Sequence, residues 1–305
     1  MIRALGRKSV AFCILFSIWG SAGLVFSGCG RSAAPVDEAK LEVPGRPVTG
    51  QVVKIDAERG TLLVDHDEIP DYMPAMVMEF RAGPGDIANL EAGQHIRGRL
   101  VEEANGKFAL AHIWVVEDVE ETWVSAAAAA LRQDTTIRGR KAYRAVGENL
   151  PDFSLYDQTG AVVDPSLFRG KKVIMNFIYT RCPIATMCPA AVSNMMAVQT
   201  AVAEAGHTDN LELISITFDP EFDTPGVLSK YAAARGIDTG NYSLLTGPES
   251  AIQDLLRQFG VLAQVDGPLI AHTLTTLLID EQGRIIDRAD GSQWDVQQFV
   301  RKIVR

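Results

Sequence analysis

The sequence predicts two folded parts in series: a small all-β barrel followed by an α/β domain. Between 48 and 117, five short β-prone runs separated by turn residues fit into about seventy residues, which suits a small barrel. From 146 onward, apolar β-prone runs alternate with longer helical ones and finish in a hairpin and a helix. Between the two lies 119–145, whose first half carries five consecutive alanines, Ala126 to Ala130. Alanine is the best helix former, so a connecting helix is expected there. A chain of 305 residues is long enough for two modest domains, each with its own core.

The chain opens on Arg3, Arg7 and Lys8, then an apolar run over 10–26, then small residues before Cys29. That order reads as an export signal over 1–28. Phe26-Ser27-Gly28-Cys29 resembles a bacterial lipobox, which implies lipidation of Cys29 and a membrane anchor facing the periplasm or extracytoplasmic space. An uncleaved membrane helix is the alternative, because the run is near the lower length for spanning. Residues 29–46, with Pro35 and Pro44, read as a flexible tether. Removing 1–28 takes away three basic and no acidic groups, leaving 26 basic against 38 acidic side chains and a net charge of about −12. Such a surface repels polyanions, so nucleic acid is not an expected partner, while cations and basic partners are.

The predicted barrel, 47–118, has an OB-like set of five strands at 48–55, 61–65, 76–80, 95–101 and 108–117. A helix over 120–133 and the basic stretch 138–144 form the linker. In the second domain, 146–305, strands are expected at 153–155, 172–179, 211–218, 273–279 and 285–286. Helices are expected at 189–205, 225–236, 250–259 and 294–304, with Asp223 or Thr224 capping the second of them. This succession is the thioredoxin-like order.

Chemistry concentrates where the strand ending at Tyr179 runs into Thr180-Arg181-Cys182-Pro183-Ile184-Ala185-Thr186-Met187-Cys188-Pro189. Proline is favoured at the first helical position, which puts Cys188 at or beside a helix N-cap, where the helix dipole favours a thiolate. Cys13 falls in the signal and Cys29 carries lipid, so the folded part keeps Cys182 and Cys188 alone. Such a pair in an oxidising compartment reads as a disulfide, a redox pair or a metal site. The absence of Cys-x-x-Cys and of a proline at Leu274-Thr275-Thr276 argues against an ordinary dithiol oxidoreductase. Tyr179 and Met175 stand where a peroxiredoxin needs threonine and proline.

Phe-Ile-Tyr-Thr-Arg-Cys-Pro…Cys-Pro (177–189), Ser-Ile-Thr-Phe-Asp-Pro-Glu-Phe-Asp-Thr-Pro (215–225), Gln-Phe-Gly-Val (258–261) and His-Thr…Leu-Ile-Asp-Glu-Gln-Gly (272–283) together resemble the Sco/SenC family. The resemblance implies a membrane-tethered, thioredoxin-like copper chaperone that serves the dinuclear copper centre of cytochrome c oxidase. Its ligands would fall on Cys182, Cys188 and His272, with copper as Cu(I) or Cu(II). Thiolates suit Cu(I), and an imidazole beside them can also hold Cu(II). The sequence departs from the family's Cys-x-x-x-Cys, because five residues separate Cys182 from Cys188. A structural disulfide between them stays open, as does a thioether from Met187. Asp219 and Asp223 read as a turn residue and a helix cap.

A second constellation lies in the first domain, where Met73, Met76 and Met78 fall within six residues, downstream of His66. Met76 and Met78 share one face of a strand. Thioethers with an imidazole select Cu(I), whereas core filling would explain the methionines but not the histidine. Residues 47–118 resemble the CusF-type periplasmic copper-binding domain, which implies ligands at His66, Met76 and Met78, with Met73 where that family has an aromatic cap. Asp65, Asp67, Glu68, Asp71 and the acidic run 117–121 read as solvated surface. The function expected from all this is copper delivery to the oxidase copper-centre subunit, with copper taken from periplasmic donors. A thiol–disulfide oxidoreductase and a detoxifying copper buffer are the alternatives.

Overall fold

Alternation closes the first part. The computed structural model describes residues 43–116, 118–139, 141–266 and 269–305. In β1 (Arg46–Asp56), Val48, Gly50 and Val52 are buried between exposed neighbours. β2 (Thr61–His66) buries Leu62, Val64 and His66, and β3 (Met76–Ala82) buries Phe80. After the short helix α1 (Pro84–Asn89) come β4 (His95–Glu102) and β5 (Phe108–Val115). The five strands form a closed barrel in the order β1-β2-β3-β5-β4, with β1 pairing antiparallel to β4. Closure leaves no strand edge for other chains to pair with.

The second part is a sheet clothed by helices. After α2 (Asp118–Arg138) and the small hairpin β6 (Leu155–Tyr156) and β7 (Val162–Val163), the chain enters β8 (Lys172–Ile178), α3 (Cys188–Glu204), β9 (Leu211–Thr217), α4 (Pro225–Arg235), β10 (Tyr242–Leu245) and α5 (Glu249–Phe259). A ribbon of β11 (Ala263–Asp266) and β12 (Leu269–His272) then leads into β13 (Thr275–Ile279), β14 (Ile285–Asp290) and α6 (Val296–Ile303). The sheet order is β10-β9-β8-β13-β14, with the first three strands parallel and the last two antiparallel. β8 is buried along six of its seven residues, as a central strand covered on both faces must be.

Barrel and sheet lie in one compact unit, Glu38–Arg305. The connecting helix does more than connect. α2 packs along α5, and its Ala128 and Leu131 belong to the core of the second part. Arg132 Nε reaches Asp254 Oδ2 at 2.5 Å, and the buried Arg144 donates to Asp134, Gln258 and Asn149. The helix therefore runs on to Arg138, beyond the 133 expected from propensity, because tertiary partners support its last turn.

α4 stops at Gly236, whose φ of 65° is left-handed and whose N–H donates to the carbonyls of Ala232 and Ala233. A Cβ there would meet nothing within 4 Å. Gly236→Ala should accordingly cost about 1 kcal/mol from backbone strain alone. Urea denaturation should register that loss while copper binding stays unchanged.

The export signal, Cys29 and most of the tether lie outside the described residues. Among the described residues no helix is long and apolar enough to cross a membrane.

Candidate metal centres

The sheet order reverses beside β8, with β9 on one side and β13 on the other. Crevices at the carboxyl ends of strands at such a reversal are where α/β sheets bind ligands. β8 delivers Cys182 there, α3 begins there with Cys188, and the β12–β13 junction brings His272. Cys188 Sγ lies 3.4 Å from His272 Nε2, and the ligand atoms of Cys182, Cys188 and His272 are all within 4.8 Å of one another. Both cysteines are free thiols and both are buried. The five intervening residues fold into a turn, with Met187 N–H on Ile184 O at 2.9 Å, so the longer segment still lets the sulphurs converge. Met187 packs against the domain core.

Two expectations about this site need correction. His272, expected just ahead of a strand beginning at 273, itself ends β12 of the β11–β12 ribbon. The expected thiolate at a helix N-terminus also fails for the metal-free state. Cys188 is fully buried, and desolvation pushes its thiol well above the usual range, against the smaller pull of the Tyr179 backbone. Burial holds the His272 imidazole below its ordinary value, and its Nδ1 faces Thr273 O at 3.4 Å. A proton on Nδ1 leaves the Nε2 lone pair turned to the sulphurs, as a metal ligand requires. Two thiols and one imidazole, with no carboxylate in the group, form a soft donor set that fits copper.

Sequence reasoning missed the residues that hold this site. Tyr179 and Phe218 pack on the His272 ring at centroid distances of 5.5 and 4.7 Å, and desolvation pushes the Tyr179 phenol up to about 12. Asp219 remains in its turn, accepting from Arg181 Nε at 2.6 Å and Nη2 at 3.1 Å. Asp223 is not a helix cap. Thr224 takes that position, and the buried Asp223 carboxyl turns back to accept from Thr180 N at 3.1 Å, Thr217 Oγ1 at 2.5 Å and the Thr180 hydroxyl. A carboxylate just before a helix resembles a cap in sequence, and nothing local distinguishes the two roles.

In the barrel, His66 stands directly opposite Met76 and Val64 opposite Met78 in the β2–β3 register. Directly opposed side chains share a face, so both thioethers belong to the face of His66. His66 is buried, and its Nδ1 makes a 2.7 Å bond to Asp67 O. Its Nε2 is buried without a hydrogen-bond partner, a costly arrangement that a bound soft cation would relieve. Met73 is folded back by paired bonds between Ile69 and Met73, and packs with Met78 against the barrel core. Met76 is 42% exposed, so this end of the barrel is open to solvent. Asp65, Asp67, Glu68 and Asp71 are exposed, as expected, and the side chains of 117–121 lie outside the described residues.

Residues 142–305 match the SCO1/SenC family model, and residues 45–115 match that of the copper binding periplasmic protein CusF. An SCO2-like protein of Rickettsia typhi is 32% identical over 160 residues, taking in 49% of this chain and 74% of the relative. The SCO1 protein homolog of Bacillus subtilis is 28% identical over 143 residues, 46% of this chain and 72% of its own. Among solved structures, a SCO1/SenC family lipoprotein from Bacillus anthracis aligns at 24% identity and a TM-score of 0.48, over 53% of this chain and 97% of that one. Copper is the cofactor on which the donor chemistry and the matched families agree. With its family match running over more than half of its length, the chain belongs to the SCO1/SenC family.

Proposed function

We propose that this protein is an extracytoplasmic copper chaperone, held to a membrane by lipid on Cys29, that delivers copper to the dinuclear copper centre of cytochrome c oxidase. Copper is its cargo. Cys182, Cys188 and His272 hold it for delivery, and His66, Met76 and Met78, with Met73, form a second Cu(I) site that takes it from periplasmic donors. The observation carrying this reading is the meeting of two thiols and one imidazole within 4.8 Å at the sheet's reversal. The choice of partner is what the Sco/SenC resemblance implies, and the family match over residues 142–305 supports it. Joining two sites in one chain raises their effective concentration for each other, so transfer need not await diffusion.

The burial of Cys188 favours this over the oxidoreductase reading. A thiol pushed up by desolvation is a poor nucleophile, whereas a soft cation displaces its proton on binding. Mixing the copper-loaded protein with the copper-free soluble copper-centre subunit tests the proposal. The subunit's charge-transfer band should grow in proportion to the protein added. Retention of copper by the protein, with no band, would leave a buffer and exclude the chaperone.

A further inference from the structure

The segment 219–226 is gripped from two sides. On the side of the thiols, Asp219 pairs with Arg181, and Asp223 holds the backbone and hydroxyl of Thr180. Thr180 and Arg181 are the two residues that lead into Cys182. On the other side sits the barrel. His112 of β5 has a left-handed φ of 52°, at the point where the β4–β5 register shifts between Arg97 and Arg99. Such bulges re-aim a side chain. Here the bulge turns the imidazole out of the barrel, so that Nδ1 donates to Phe222 O at 2.9 Å and the two rings pack at a centroid distance of 4.5 Å, tilted by 50°. The Arg181 guanidinium lies 4.2 Å from the centroid of the same Phe222 ring. A few residues on, Gly85 of α1 and Gly226 of α4 touch so closely that neither has room for a Cβ, and the Asp86 carboxyl rests on Gly226. The barrel thus reaches the residue next to Cys182 through a chain of packed side chains, His112, Phe222 and Arg181.

We infer that His112 is a positioning residue for the thiol centre: through Phe222 and Arg181, the barrel fixes the loop that presents Cys182. This rests on the proposed copper function for its consequence but not for its geometry. Histidine is among the side chains that tolerate a left-handed φ, and here that bend aims its ring at Phe222. The coupling gives the fused barrel a role besides holding metal, because any change in the barrel's seating is felt at Cys182.

His112→Gly keeps the backbone conformation and removes both contacts. His112→Asn tolerates the same conformation and restores a donor towards Phe222 O. In the full-length, reduced, metal-free protein, alkylation of Cys182 by iodoacetamide, followed by mass spectrometry, should run about tenfold faster in His112→Gly and return towards the original rate in His112→Asn. Copper(I) affinity at the thiol centre, by competition with a chromophoric chelator, should fall about ten- to a hundredfold in His112→Gly, the range for loss of a residue supporting a ligand. Phe222→Ala should act in the same direction without adding to His112→Gly, since both break one chain of contacts. An unchanged alkylation rate in His112→Gly, with its thermal unfolding unaltered, overturns the inference. If the alkylation result holds while the original protein takes up no copper at its thiols, the positioning role stands and the copper reading alone is lost.

Discussion

Cys188→Ser should weaken Cu(I) binding at the thiol centre at least a hundredfold. Structural zinc sites bind their metal with about 10–16 kcal/mol shared among their donors, and on that scale losing one donor here costs on the order of 3 kcal/mol, or about two powers of ten. The loss should be severe at this position because Cys188 is fully buried and 3.4 Å from His272 Nε2, leaving no path for water to substitute for the sulphur. Cys182→Ser should do nearly as much, since serine keeps the shape and loses the soft donor. His272→Ala should cost Cu(II) more than Cu(I), because imidazole matters more to the harder oxidation state. Competition titrations with a chromophoric Cu(I) chelator would read all three. Affinity equal to that of the unaltered protein in Cys188→Ser would remove the thiol centre from the account.

Asp86→Asn should make the protein more stable than the original at pH 8, by up to about 4 kcal/mol, and give no such gain at pH 5. Burial raises the Asp86 carboxyl to about 7, despite N–H bonds from Gly83 and Ile113 and the nearby charge of Lys230. Its Oδ1 has no hydrogen-bond partner. Moving a carboxyl from its ordinary value to about 7 corresponds to roughly 4 kcal/mol at 1.36 kcal/mol per tenfold. Between pH 4 and 7 the folded protein keeps this proton while the unfolded chain has lost it. Stability therefore falls as pH rises through that window, and the penalty is complete above pH 7. Asp223, raised to about 7 by burial and by Asp219, adds a loss in the same window. Urea midpoints at pH 5 and pH 8 decide the matter. A variant destabilised equally at both would show that Asp86 acts through its hydrogen bonds and not through its charge.

Most of the barrel was legible because alternation fixes both strand and face: the expected runs fall within a residue or two of β1 to β5. The proposed donors stood out for a different reason, since cysteine, histidine and clustered methionine are conspicuous by their side-chain chemistry. Other parts carry no local signature. β10 is four residues long, and the β11–β12 ribbon mixes Gln264 with apolar residues, so neither shows a clear period. Trp294 precedes α6, which starts at Val296 after an Asp295 cap. Tyr179 and Phe218 look like core aromatics until His272 is seen packed on both. His112 and Phe222 are 110 residues apart, and only the closed barrel with its bulge brings them together.

The most direct measurement is copper-edge X-ray absorption on the full-length protein carrying His66→Ala and Met76→Leu and loaded with one equivalent of copper. These substitutions remove two of the proposed barrel donors, so the signal reports the thiol centre alone. Cys182, Cys188 and His272 acting together predict a first shell of two sulphurs and one nitrogen. A shell of nitrogen and oxygen only, or one unaltered by His272→Ala, contradicts the account.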